Sequence, residues 1–290
     1  MTSPDEISSP TRTRIPKVPF PMRSFSRRAQ WCSRHRAGPR DMPTATYRFY
    51  EELNDFLAPA RRRRSFSYSS SDTASAKHVI ESLGVPHTEV ELILLNGASV
   101  GFDAQVREGD RLAVYPKFEA LDITPLLRVR ERPLRRLRFV ADAHLGGLAR
   151  LLRLAGFDTL YDNAIHDARV ERLAQAEHRV VLTRDRDLLM RSGVTHGCYV
   201  RALHPHAQLR EVIARLDLAR SARPFTLCLN CNARLMPIAK SEVEERLPPQ
   251  VRRAHDRFAT CPMCRRVYWE GSHWQRMRAL VDSVLGARAA

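Results

Sequence analysis

Apolar residues between Leu137 and Asp187 fall into three short runs, and acids follow each run. Leu137–Ala141 leads into Asp142, Asp158–Tyr161 into Asp162, and Arg179–Thr183 into Asp185 and Asp187. Between them, Leu145, Leu148, Leu151, Leu152 and Ala155, then Val170, Leu173 and Ala174, keep helical spacing. A short helix after Asp187, a strand at Gly197–Arg201 and a helix over about Ala207–Leu218 complete the pattern. Strands alternating with helices predict a parallel sheet with right-handed crossovers. The carboxyl ends of such strands share one edge, where open α/β sheets place ligands, so the acids are expected to converge. Crowded carboxylates repel one another unless a cation joins them, and Mg²⁺ or Mn²⁺ suits an oxygen-only site. The pattern therefore points to metal-dependent phosphoryl chemistry. A structural alternative stands beside it. Asp167, Asp185 and Asp187 each precede a plausible helix and would serve equally as N-caps. Asp142 has no obvious capping role, because Gly146-Gly147 delays the helical pattern.

Ahead of this region, Thr44–Phe118 reads as a compact unit. Strands are expected at Ala45–Tyr50 and Arg62–Ser69, a helix at Ala74–Leu83 ending at Gly84, and a strand at Glu91–Leu95 closed by Asn96-Gly97. Val106 and a last strand at Arg111–Tyr115, after Gly109-Asp110, finish it. The run Arg61–Arg64 reads as a strand edge guarded by charge. This ββαββ order resembles the ubiquitin-like β-grasp fold, and within it the thiamine and molybdopterin sulfur carriers. Those carriers end in Gly-Gly, whereas this unit continues through Tyr115-Pro116-Lys117-Phe118-Glu119. The resemblance therefore implies a binding or positioning role without sulfur transfer.

Behind the acid-bearing region, Cys228-Leu229-Asn230-Cys231 and Cys261-Pro262-Met263-Cys264 form two C-x-x-C turns. Each turn presents two thiolates, and two turns complete a tetrahedral site that predicts structural Zn²⁺. A redox dithiol needs only one pair, and an iron–sulfur site is the other alternative. The long spacer accommodates a helical insertion at Lys240–Arg246 and a break at Pro248-Pro249. Cys198, within a strand, reads as a buried apolar residue, and His204-Pro205-His206 as a helix entry.

Composition adds direction. The 290-residue chain is 43% hydrophobic, enough for two or three cored domains. No apolar run approaches the ~20 residues of a membrane helix. With 48 basic and 32 acidic residues, a net charge of +16 favours a polyanionic partner such as nucleic acid. No cleavable apolar signal is present, and the paired thiols suit a reducing cytoplasm. The expected organisation is a basic leader over 1–42, disordered or mistakenly included, with Met42 as the candidate start, then a β-grasp domain over 43–120. A linker over 121–136, an α/β domain over 137–222, and a zinc ribbon with a C-terminal helix over 223–290 follow.

Taken together, Phe139–Gly146, Leu151–Thr159 and Leu182–Asp187 resemble the RNase family named after the C-terminal region of the mut-seven exonuclease. The cysteine ribbon and Tyr268–Trp274 resemble that family's tail. Phe49–Asn54, Pro86–Glu89 and Gly109–Pro116 resemble the ubiquitin-like domain fused to it. The resemblance implies a PIN-type nuclease fold acting on RNA, in which acids hold Mg²⁺ or Mn²⁺ and the metal activates water. By position Asp142, Asp185 and Asp187 match the family's acids. Asp167 is the candidate for the helical acid, with Glu171 and Asp162 as alternatives. The rival reading is a non-catalytic adaptor, in which ribbon and basic surface bind RNA, or the β-grasp domain binds a protein, while the acids serve as caps.

Overall fold

The computed structural model describes residues 42–71, 74–117, 128–129 and 137–286. The expected leader, apart from Met42, lies outside the described residues, as does nearly all of the expected linker. The front unit runs β1 (Thr44–Phe49), β2 (Phe66–Ser69), α1 (Ala76–Ser82), β3 (Leu92–Leu95), β4 (Ala98–Val100) and β5 (Arg111–Tyr115). Alternation buries Ala45, Tyr47 and Phe49 of β1 against α1, whose N-cap Ser75 accepts the His78 N–H at 3.3 Å. The helix stops where Gly84 adopts φ +89°. The strand order β2-β1-β5-β3-β4, with β1 and β5 parallel, is the β-grasp arrangement.

Two local expectations change. Asn96 (φ +52°) and Gly97 (φ +87°) close a hairpin that adds β4 as an extra edge strand. The arginine run does not belong to β2: Pro59–Arg61 is a 3₁₀ turn, and Arg63 has φ +57°. Arg62 Nε instead donates to the Leu57 carbonyl at 2.9 Å and Arg64 Nε to the Ala60 carbonyl at 2.8 Å. These side chains thus fold back onto the preceding turn.

The second unit alternates as expected: β6 (Phe139–Ala141), α2 (Gly146–Leu154), β7 (Thr159–Tyr161), α3 (Asp167–Glu177), β8 (Val180–Thr183), α4 (Arg186–Met190), β9 (Gly197–Tyr199) and α5 (Pro205–Arg215). Its sheet, ordered β7-β6-β8-β9, is parallel throughout. Both faces are covered, as a parallel sheet requires. Phe139, Ala141 and Leu182 pack with α2 and α5, while Val140 and Val181 pack with α3 and α4.

The third unit holds β10 (Met236–Ile238), α6 (Lys240–Val243), α7 (Pro249–Ala254), β11 (Phe258–Thr260), β12 (Val267–Tyr268) and α8 (Ser272–Leu285). The strands form a small antiparallel sheet over a modest core of Val243, Leu247 and Phe258. α8 leaves this sheet and returns Val284 to the α/β core, beside α5.

Polar side chains hold these units together. In front, the Glu89 carboxylate accepts the Tyr199 N–H of edge strand β9 at 2.6 Å and pairs with Arg215 at 2.6 Å. His87 bonds Glu81 and the Val194 carbonyl, and Phe56 meets Tyr199 edge-on. Behind, buried Arg153 donates to the carbonyls of Thr159, Leu229 and Asn230, joining α2 to the first cysteine turn. At Gly156 (φ +90°) an added Cβ would collide with the Arg223 carbonyl oxygen, where the chain enters the third unit. Gly156→Ala is therefore expected to cost about 3 kcal/mol, backbone strain and overpacking combined. Gly109→Ala, at φ +77° with nothing within 4 Å, should cost only about 1 kcal/mol. Urea midpoints of the two variants check this; equal losses would refute the steric account.

Candidate active site and metal centre

Asp142, Asp162 and Asp185 all follow strands at the carboxyl edge of the parallel sheet. Asp142 is buried, 8% exposed. Its Oδ1 accepts the Ala143 N–H at 2.5 Å and its Oδ2 accepts the Thr183 hydroxyl at 2.7 Å. Asp142 thus caps a 3₁₀ turn over Ala143–Leu145 that runs directly into α2. This corrects the expectation that it has no capping role: the helical path begins before the two glycines. A Cβ on Gly146 would press on the Tyr161 ring, so the close approach of β7, rather than a delay, explains that glycine.

The Thr183 hydroxyl also accepts the Asp185 N–H at 2.9 Å, and Asp185 Oδ1 accepts the Asp187 N–H at 2.8 Å as N-cap of α4. Asp142, Thr183, Asp185 and Asp187 therefore form one continuous polar chain across the ends of β6 and β8. Its first member is buried and its last two are exposed. Asp167, in the first turn of α3, faces Arg191 at 3.4 Å. Glu171 meets Arg191 at 3.2 Å and accepts the Gly193 N–H at 3.0 Å. Asp162 accepts the Ala164 N–H at 3.0 Å and lies 3.7 Å from Arg169. Among the described residues, no three carboxylates bring ligand atoms within 4.8 Å of one another as the four cysteines do.

Sequence reading missed Thr183 and Arg191. Thr183 ends the apolar run Val180–Leu182, and a hydroxyl before an acid-rich turn was the available signal. Beside the acids, Arg62, Arg186 and Arg201 line a cleft of about 580 Å³ between the front unit and the sheet edge. Arg186 also donates to the Phe56 carbonyl at 3.3 Å. Cys198 is buried in β9 as expected, and burial pushes its thiol up to about 12.

The cysteine turns are near copies of each other. Cys228 N–H donates to Ala233 and Cys261 N–H to Arg266; Asn232 (φ +68°) and Arg265 (φ +57°) take matching left-handed positions. All four sulfur atoms lie within 4.8 Å, a closed set compatible with a structural zinc ion. Burial opposes ionisation of Cys228, but the Tyr268 hydroxyl at 3.1 Å and backbone N–H groups draw its thiol down to about 6. Burial and the adjacent thiols push Cys231 up to about 12. Four thiols this close cannot all ionise without a cation between them. The set is anchored from the α/β unit: Asn232 donates to Asp158 at 2.6 Å and accepts the Thr159 N–H at 3.0 Å. Asp158 in turn forms a fork with the buried guanidinium of Arg179, at 2.8 and 3.2 Å.

With this geometry in hand, comparisons with known proteins gain meaning. The sequence profile described as the Mut7-C RNAse domain matches residues 137–281, half of the chain. The profile described as Mut7-C ubiquitin matches residues 42–122. No curated protein matches. Among solved structures, the H. volcanii small archaeal modifier protein 1 aligns at 15% identity, covering 26% of this chain and 99% of that one, with a TM-score of 0.22.

Burial would raise the Asp158 carboxyl, but hydrogen bonds from Arg179 and Asn232 hold it below the ordinary value. A depressed folded pKa adds stability above the unfolded value of about 3.9, and this is lost as pH falls through the folded value. Asp158→Asn should cost about 1 kcal/mol at neutral pH, a figure kept small because the carboxylate is partly solvated. The gap between wild type and variant should stay constant above about pH 5 and narrow in stronger acid. Parallel urea titrations would reveal a pH-independent gap if the fork were irrelevant.

Proposed function

We propose, proceeding from the fact that the chain belongs to the Mut7-C RNAse domain family, that it is a PIN-type, metal-dependent ribonuclease working in the cytoplasm. The observation that carries this is the polar chain Asp142–Thr183–Asp185–Asp187 at the carboxyl edge of a parallel sheet, beside an arginine-lined cleft. Carboxylate oxygens suit Mg²⁺ or Mn²⁺. Each oxygen of Asp142 accepts one hydrogen bond, and a carboxylate oxygen has two lone pairs, so Asp142 retains ligand capacity. Asp142, Asp185 and Asp187 would hold the ion, with Asp167 as a further acid if Arg191 releases it. The ion would lower the pKa of a bound water for phosphodiester attack.

Thr183 orients the Asp142 carboxylate and ties it to the turn that carries Asp185. Arg62 and Arg186, which make no ion pair among the described residues, offer guanidinium groups matched to phosphate oxygens. Arg201, held by Asp55 and Glu89, adds positive charge to the cleft. The β-grasp unit supplies Arg62 and one wall of that cleft, so its role is to position substrate, with a protein partner on its outer surface as a further use. Because it runs on past Tyr115 into the linker, it has no sulfur-carrier function.

A second reading has its own support. Asp142 and Asp185 both act as caps, and the acids are not gathered like the cysteines. On that reading the chain is an RNA-binding adaptor without catalysis. Asp142→Asn decides between them. The nuclease reading expects Mn²⁺-dependent RNA cleavage to be lost while the melting midpoint shifts by no more than a few degrees, since Asn keeps one carbonyl acceptor. An adaptor would show no cleavage in either protein. A variant that is clearly destabilised yet cleaves fully per folded molecule would sink the proposed mechanism.

For the ribbon, Zn²⁺ is proposed at Cys228, Cys231, Cys261 and Cys264 as a fold-maintaining staple. Cys228→Ser should abolish stoichiometric zinc and leave 223–271 open to proteolysis, because its small core cannot stand alone. Zinc-free wild-type protein with an equally resistant ribbon would rule the staple out.

A further inference from the structure

A cleft of about 1130 Å³ lies between α2, the cysteine ribbon and α8, away from the acids and arginines already assigned. Its walls combine two kinds of side chain. Phe225, Trp269 and Trp274 are all half-buried, so their rings are neither fully exposed nor sealed in the core. Phe225 and Trp274 form a tilted pair with centroids 4.8 Å apart. Arg150, Arg257 and Arg266 line the same cleft, and all three are exposed.

Some arginines elsewhere in the structure are committed to carboxylates. Arg179, Arg191, Arg201 and Arg215 each meet carboxylates. Arg150, Arg257 and Arg266 take part in no ion pair among the described residues, and Glu270 is the sole acid among the lining side chains. An excess of unpaired guanidinium beside aromatic faces is the composition that holds a polyanion with flat, unstacked rings. An apolar ligand would leave the cations unused, and an acidic peptide would leave the ring faces unused.

We infer that this cleft binds single-stranded RNA, with bases stacking on Trp269 and Trp274 and phosphates meeting Arg150, Arg257 and Arg266. The inference rests on the ribonuclease reading for the sugar of the substrate, and deepens it by naming the strand state. A duplex hides its base faces in its own stack, so aromatic walls favour unpaired strands. The position also fits a path to the acids. Arg150 stands on α2, the helix that starts just after Asp142, and His206, in the first turn of α5, borders the cleft on the same side. A strand held at the ribbon would run along α2 toward the carboxyl edge of the sheet.

The test titrates the full chain with a short single-stranded RNA of mixed sequence and with its duplex, without added divalent ion, following tryptophan fluorescence and the anisotropy of a labelled RNA. Single-stranded RNA is expected to quench tryptophan emission. Trp274→Ala should weaken its binding about tenfold or more. The double variant Arg257→Gln/Arg266→Gln should weaken it and make the dependence of log K on log salt shallower by about 1.4, at about 0.7 per phosphate contact on a single strand. Duplex binding should change little in Trp274→Ala. Should Trp274→Ala fail to fold, wild-type quenching and the exposed arginine pair decide the matter. Absence of quenching, or single-strand affinity unchanged in the arginine variant, overturns the inference. Mn²⁺-dependent cleavage is scored separately: its absence with intact single-strand binding removes the ribonuclease reading and leaves the cleft.

Discussion

Four parallel strands of three or four residues each have little backbone with which to hold a fold, and this shortage shapes everything around them. Helices bury both faces. The free edge of β9 is a further liability, since an unpaired edge strand invites pairing with other chains. Here Glu89 of the front unit takes the outward Tyr199 N–H, and a Cβ on Gly197 would already press on Leu189 and Thr88. The β-grasp unit is thus the cover of an exposed sheet edge as well as one wall of the arginine cleft. Its docking is polar at its centre: a carboxylate 1% exposed is satisfied by one N–H and the Arg215 guanidinium, with that of Arg201 3.6 Å away. Buried charge is tolerated only when so fully bonded.

The opposite end of the sheet follows the same logic. Arg153 and the Asp158–Arg179 fork bring charge to the start of β7, and the first cysteine turn supplies the carbonyls and amide that complete it. Ribbon and sheet are coupled because each satisfies groups the other leaves over. Losing the cysteine turn would therefore strand a buried guanidinium in the α/β unit, in addition to opening the ribbon. α8 closes the circuit by returning Val284 to the core beside α5. The cleft between α8, ribbon and α2 is what remains where two separately cored pieces, the α/β unit and the ribbon, meet, a common location for ligand sites.

At the carboxyl edge, catalytic and structural accounts of the acids need not compete. Asp142 caps a turn, but the same two hydrogen bonds fix its carboxylate in one orientation, as preorganised sites require. Asp185 likewise shapes the start of α4 while Thr183 couples it to Asp142. A cap and a ligand differ in what the remaining lone pairs do.

Much of this protein was decided by sequence alone. Period-two and helical spacing dictated the strand–helix alternation, because burying one side chain stripe admits few layer arrangements. Paired C-x-x-C turns dictated the sulfur cluster, because a knuckle that short leaves both thiols pointing the same way. Positions at strand ends placed Asp142 and Asp185 on one edge. Tertiary structure decided what depends on contacts distant in sequence. Thr183 bridging two acids, Arg191 engaging Asp167 and Glu171, and Glu89 covering β9 each join residues whose separation no local period encodes. The capping by Asp142 was missed because a 3₁₀ turn leaves no apolar periodicity to read. The arginine run after Pro59 looked like a strand because charge obscures backbone preference, and only its side chains folding back onto Leu57 and Ala60 made it a turn.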